Sequence, residues 1–265
     1  MKETVQDIIR FLIEPLDRIE NTVDTLQFGD PQAEVTGIVT AFMPTQRVIE
    51  EAAALGANLV IAHEAPFYSH HEAFGHTLAG DPVYEAKKRF MLESNLALFR
   101  LHDYIHRYRP DGIMEGLIEA LDWNGYVTEH RPVTSIAEIP PMTVREAAAY
   151  VKERLGLAFV RVTGDLDLSC SRVGLLAGYR GKGDVAIPLF EEHRLDLIIY
   201  GEGPEWETPE YVRDAVYQGR SRAAIVLGHA ESEEAGMKLL AKRLQSRYPS
   251  LPVQFLADEP IFRII

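Results

Sequence analysis

The chain has 265 residues and a hydrophobic content of 46%, enough for one large domain or two small ones with a sizeable core. Forty acidic against 27 basic residues give a formal net charge of −13, a field that repels polyanions and anionic membrane surfaces and argues against nucleic acid as a partner. The single cysteine, Cys170, excludes an intramolecular disulfide, and no apolar run approaches the roughly 18 to 20 residues of a membrane span.

The opening "MKETVQDIIRFLIEPL" lacks the basic, apolar and small-residue order of a signal peptide, so a cytoplasmic location is expected. Residues 36–66, "TGIVTAFMPTQRVIEEAAALGANLVIAHEAP", read as strand, helix, strand, because short aliphatic runs flank a segment with apolar residues three and four apart. His63 and Glu64 leave the second strand. Neighbours in an extended strand face opposite ways, so both reach one site only if the chain turns there, and Ala65-Pro66 supplies that break. His70, His71 and His76 follow on a polar loop and are expected in solvent. A further aliphatic run, "NLALFRLHDYIH", ends in His102 and His106.

The tract Pro132–Pro141 is rich in turn residues and places a boundary near residue 130. Thr143 with Glu146 forms the pattern of a capping box opening a helix through about Leu155. Residues 171–204, "SRVGLLAGYRGKGDVAIPLFEEHRLDLIIYGEGP", repeat the strand–helix–strand grammar of 36–66 and set Glu202 opposite Glu64. Within it, "GYRGKGD" (178–184) has the composition of a small anion-binding turn or of a solvated loop. It lacks the spacing of a Walker P-loop. The echo continues in "AAIVLGHAESE", which sets His229 and Glu233 opposite His102 and His106. The end of the chain, "PSLPVQFLADEPIFRII", reads as a final strand.

The expected fold is therefore α/β: two similar α/β halves with mostly parallel sheets, residues 1–130 carrying His63, Glu64, His102 and His106, and residues 131–265 carrying Glu202, His229 and Glu233, with a metal site in the cleft between them. Ligands of open parallel sheets gather beyond the carboxyl ends of the strands, where His63, His102 and His229 fall. Each motif alone has a plain alternative, a solvated helix face or a histidine bonded to backbone. Six of the nine histidines lie between residues 63 and 106, however, and that clustering favours chemistry. Imidazole and carboxylate without thiolate are the donors that zinc, manganese, iron or cobalt accept in catalytic sites.

The chain resembles the Nif-three-like family, whose members carry a dinuclear metal centre and often bear the name type-2 GTP cyclohydrolase I. The resemblance runs through "FGDPQAEVTGIVTAFMPTQRVIEEAAALGANLVIAHEAPFY", "NLALFRLHDYIHRYRPDGIMEGLIEALDW" and "GHAESEEAGMKLLAKRL", the last being similar to the family's Gly-His-x-x-x-Glu ending. It implies that His63, Glu64, His106, His229 and Glu233 stand at the family's metal-ligand positions, with His102 ligating or supporting a neighbour. Two positions depart: Glu64 replaces a histidine and His106 an aspartate, an exchange that keeps three imidazoles and two carboxylates. The resemblance further implies two divalent ions, a homohexamer, and a metal-dependent hydrolase acting on a nucleotide or phosphoester. Glu202 is the carboxylate expected to transfer protons. The competing expectation is a metal-holding scaffold or regulatory interaction protein; a third is a nucleotide-binding protein that uses "GYRGKGD".

Overall fold

The computed structural model describes residues 2–14, 16–71 and 77–265. His76 lies outside them. The chain divides into two compact units, residues 1–112 with 237–265, and residues 113–236.

In the first unit, helix α1 (Val5–Ile13) precedes strands β1 (Leu26–Phe28) and β2 (Ile38–Ala41), helix α2 (Gln46–Ala54), strand β3 (Leu59–Ala62), helix α3 (Pro82–Glu93), strand β4 (Ala97–Arg100) and the short helix α4 (Asp103–Arg107). Helix α5 (Gly112–Ala120) opens the second unit. It is followed by β5 (Val127–His130), β6 (Ser135–Thr143), α6 (Val144–Arg154), β7 (Arg161–Gly164), β8 (Ser169–Leu176), α7 (Gly183–Glu192), β9 (Leu197–Tyr200), α8 (Thr208–Tyr217) and β10 (Ala223–Val226). Helix α9 (His229–Arg247) begins in the second unit, and its residues from Met237 onward belong to the first, as does β11 (Val253–Phe255).

The first sheet has the order β1-β4-β3-β2-β11, with β1 antiparallel to β4 and every other pairing parallel. The second has the order β5-β6-β8-β9-β10-β7; its centre, β8-β9-β10, is parallel and its remaining pairings are antiparallel. Both sheets are therefore mixed, and the antiparallel share of the second exceeds what the alternation of strands and helices suggests. The internal echo is real at the level of topology. The triplets β2-β3-β4 and β8-β9-β10 are each parallel, with a helix in every crossover. These central strands are buried throughout except at the start of β8, the pattern of a parallel sheet covered on both faces. In the first unit they pack Val39, Ala41, Val60, Ala62 and Leu98 against Val48, Ile49 and Ala52 of α2. In the second, Leu176, Ile198, Tyr200 and Ala224 pack against Ala186, Leu189 and Phe190 of α7.

Two sequence expectations change. The tract Pro132–Pro141, expected to be rich in turns, is largely strand β6. Its prolines, which offer no N–H to a ladder, sit where the register with β8 shifts between Glu138 and Met142. The division near residue 130, with everything after it in one half, also differs from the observed units. β11 lies parallel to β2, and this pairing carries the end of the chain into the first unit. The expected capping box is present: Thr143 accepts the Glu146 N–H and the Glu146 carboxylate accepts the Thr143 N–H, opening α6.

Candidate metal centre

In the first unit the side chains leave the carboxyl ends of β3 and β4. His63 follows β3, is fully buried, and directs Nδ1 at the carbonyl of Leu101, 3.1 Å away. His102 follows β4 and precedes α4, whose first turn is anchored by buried Asp24: its carboxylate accepts the N–H groups of His102, Asp103 and Tyr104 at 2.8–2.9 Å. That anchor holds His102 Nδ1 3.0 Å from Asp103 Oδ1. One turn on, His106 Nδ1 lies 2.9 Å from Asp111 Oδ2. A carbonyl or ionised carboxylate can only accept, so each Nδ1 carries a hydrogen, and in the neutral ring the lone pair that a metal requires is then on Nε2.

The three rings are mutual neighbours. His63 stacks on His102 with centroids 4.5 Å apart, and His106 presents its edge to both at 5.2 and 5.3 Å. One donor atom from each lies within 4.8 Å of the others. Burial pushes the His102 pKa down despite the Asp103 hydrogen bond, which favours the neutral ring; Asp103, chiefly through its bond to His102, is held well below the usual carboxylate range.

Glu64 stands beside this group. Its Oε2 is 2.9 Å from Arg100 Nη2, and its Oε1 is 3.8 Å from His102 Nε2. Arg100, 1% exposed at the end of β4, also donates to the carbonyls of His63 and His70 and to His70 Nδ1. A guanidinium only donates, so His70 Nδ1 is the acceptor and its hydrogen resides on Nε2. His71 lies edge-on to His70, with 4.7 Å between centroids. His70 is exposed, as expected of this loop, and its ring and carbonyl are also tied to Arg100.

In the second unit, His229 is the first residue of α9 after β10, and Glu233 shares its helix face one turn on. His229 Nδ1 is 3.0 Å from Glu202 Oε2, and its Nε2 is 3.2 Å from Glu233 Oε2. An imidazole flanked at both nitrogens by carboxylate oxygens calls for positive charge, as a second ring proton or as a cation. Glycines make room for the arrangement. Gly178, at φ +69°, would place a Cβ 2.2 Å from Glu233 Oε1, so both its backbone and its neighbour demand glycine. Ser232 ties the parts together, accepting the Gly178 N–H at 2.9 Å and donating to the His229 carbonyl at 2.8 Å.

The tract 178–184 is neither an open anion nest nor a solvated loop. The Gly181 N–H bonds the Glu202 carbonyl, and the Gly183 N–H, at the start of α7, bonds Glu207 Oε2 at 2.6 Å. Glu207 thus occupies the position an incoming phosphate would take, which weakens the anion-binding reading of this turn. A surface cavity of about 650 Å³ adjoins it, lined by Lys182, Asp184, Trp206 and Glu210 among others and by none of the histidines.

Sequence reasoning missed Arg100, Asp24, Asp103, Asp111 and Ser232. Arg100 left a signal, a permanent charge inside the aliphatic run "NLALFRL". Asp103 adjoins His102. Asp24 and Asp111 lie across loops of no regular period, so nothing in their spacing pointed to the site.

Residues 4–260 match the Duf34/NIF3 (NGG1p interacting factor 3) family. The chain belongs to this family. A Clostridium perfringens relative named "GTP cyclohydrolase 1 type 2 homolog" is 25% identical over 242 residues, covering 88% of this chain and 87% of the relative. A Streptomyces coelicolor protein of the same name is 28% identical over 179 residues, covering 62% and 60%. Among solved structures, the Bacillus cereus protein related to NIF3 superposes with a TM-score of 0.76 at 17% identity, covering 100% of this chain and 99% of that one. A Staphylococcus aureus hypothetical protein gives 0.75 at 18%, with full coverage of both. The family fold is thus shared over the whole chain, and the first unit contains histidine and glutamate groups able to hold a metal ion. No helix among the described residues is long and apolar enough to cross a membrane.

Proposed function

We propose that this family member is a metal-dependent hydrolase of a nucleotide or phosphoester, holding two divalent ions through His63, Glu64, His102, His106, His229 and Glu233. The observation that carries the reading is the gathering of His63, His102 and His106, each with Nδ1 committed to an acceptor. Such outer partners fix the tautomer and raise the basicity of a ligating imidazole. The pairing of His229 with two carboxylates supports the second set. A bound divalent ion supplies Lewis acidity and makes water nucleophilic at neutral pH. The chain's own part is to orient the donors and move protons. Glu202 is half-exposed (49%), bonded to His229, and is proposed as the proton-transfer carboxylate. The relatives' name supports a nucleotide substrate. A cytoplasmic homohexamer completes the proposal.

The test is elemental analysis of the purified chain, followed by turnover of GTP, other nucleoside triphosphates and a simple phosphodiester, with and without added zinc, manganese, iron or cobalt. Two ions per chain and metal-dependent turnover are expected. Glu202→Gln should retain metal while turnover drops at least about tenfold; an unchanged rate would remove Glu202 from the proton-transfer role. Metal bound without turnover on any substrate would favour the scaffold reading, which the family's description as an interacting factor supports. Sedimentation tests the hexamer.

A further inference from the structure

We infer that the Tyr68 ring is the surface on which the base of a nucleotide substrate stacks. The inference rests on the nucleotide reading above and names the side chain that recognises the base.

The backbone singles this residue out. Tyr68 sits at φ +59°, in the left-handed region that a bulky L-residue enters only at a cost in free energy. Among the described residues, Asn21, Asn95, Asp122 and Arg194 are the other non-glycines at positive φ. Asparagine and aspartate tolerate the region through local hydrogen bonds, and Asn95 and Arg194 stand just past the caps of α3 and α7, where a left-handed residue closes a helix. Tyr68 has neither excuse. It lies in a loop, carries an aromatic ring, and is 53% exposed. Strain kept at one position of a loop beside a candidate site points to a use for that side chain.

The loop leaves the histidine group at Glu64 and returns to it at His70. Glu64 Oε2 and the His70 carbonyl both accept from Arg100, at 2.9 and 2.6 Å, and the His70 ring lies 4.7 Å from that of His102 between centroids. Tyr68 is two residues from His70, so their Cα atoms are at most about 7 Å apart, close enough for a nucleotide held near the histidines to lay its base on the ring. The neighbouring residue turns the other way: Phe67 packs on Phe28 and Tyr84, with centroids 6.1 and 4.7 Å away. Buried Lys87 fixes the turn, donating to the Pro66 carbonyl at 2.6 Å with its ammonium 5.8 Å from the Phe67 centroid and 5.4 Å from that of Tyr68. A glycine would meet the backbone's demand at 68, and Phe67 already covers the ammonium. What a large aromatic adds is a flat apolar surface in solvent, held in place before a ligand arrives. Stacking on such a ring accepts any base, because every base has a π-face.

The experiment is calorimetric titration of the full, metal-loaded chain with guanosine 5′-monophosphate and with ribose 5-phosphate, which has the sugar and phosphate but no base. Tyr68→Ala should weaken the nucleotide at least about fivefold, the lower end of what one stacked base contributes, and Tyr68→Phe less than about twofold, with ribose 5-phosphate unchanged in both. A nucleotide affinity unmoved by Tyr68→Ala, or equal weakening of the two ligands, would overturn the inference, the second outcome showing that the ring only braces the loop. A probe that needs no variant is 2-aminopurine riboside 5′-monophosphate, whose emission falls when its base stacks. Quenching is expected on the unmodified chain, and bound probe of undiminished emission would overturn the inference even where Tyr68→Ala does not fold. An unmodified chain that binds neither the nucleotide nor ribose 5-phosphate sinks the nucleotide reading as well, whereas one that binds both equally tightly sinks this inference alone.

Discussion

After β3 and β4 of the first unit, the loops that present histidines are held by buried charge. Arg100 binds Glu64 and the carbonyls of His63 and His70, and buried Lys87 donates to the Pro66 carbonyl at 2.6 Å with its ammonium over the Phe67 and Tyr68 rings. After β9 and β10 of the second unit, the equivalent loops are held by close backbone approach. A Cβ on Gly201, the residue opposite His63 in the internal echo, would lie 2.3 Å from Ser232 Oγ and 2.8 Å from the Gly178 carbonyl. The strand triplet is the same in both units, and the space beyond its carboxyl end decides what can stand there. Where α9 begins against that space only glycine fits; where the short α4 leaves it open, an imidazole enters and buried cations brace the surrounding chain. One scaffold thus yields an imidazole-rich group in one unit and a carboxylate-rich group in the other.

The strongest way to break this contrast is Arg100→Met. It should destabilise the chain by about 3–5 kcal/mol, because Glu64 and two carbonyls lose a buried donor, and adding Glu64→Leu should recover part of the loss. Urea denaturation of the single and double variants measures both effects; a loss below about 1 kcal/mol would show that charge does not brace the loops.

Lys87 comes next. Burial pushes its pKa down from 10.5 to about 8. The native state therefore releases this proton before the unfolded state does, and stability should rise as pH increases from about 8 through 10.5, by up to about 3 kcal/mol. Below that window the ammonium is charged in both states and its burial costs in full. Lys87→Met should flatten the rise relative to the unmodified chain, and parallel unfolding curves across the window would contradict the assignment.

In the second unit Gly201→Ala should cost about 1–3 kcal/mol through overpacking against Ser232 and Gly178. The same measurement reads it, with an unchanged midpoint counting against the close-approach account. The smallest effect is shared by both units. Thr4 and Thr143 each form a capping box, so Thr4→Ala and Thr143→Ala should cost about 1 kcal/mol apiece. Unequal losses would show that one helix start is held by something besides its cap.

Much of this was legible in the chain alone. Aliphatic runs ending in His63, His102 and His229 marked the carboxyl ends of β3, β4 and β10, because a strand buried on both faces must be apolar until it reaches the sheet edge. The echo of residues 36–66 in 171–204 announced two parallel triplets, and Thr143 with Glu146 announced α6, since a capping box is local. Other features were closed to such reading. Pro140 and Pro141 suggested turns, yet the β8 ladder tolerates them at an irregular register. The end of the chain crosses to β2 through a pairing of residues about 215 positions apart, which no local pattern encodes. The turn 178–184 has an anion site's composition, and only the fold reveals that Glu207 already fills it. Local rules settle where a strand ends and which residue follows it. Which hydrogen bond takes each ring nitrogen, and so which imidazole keeps a lone pair, depends on Asp24, Arg100, Asp103 and Asp111, and the tautomer of a histidine is a property of its neighbours in space.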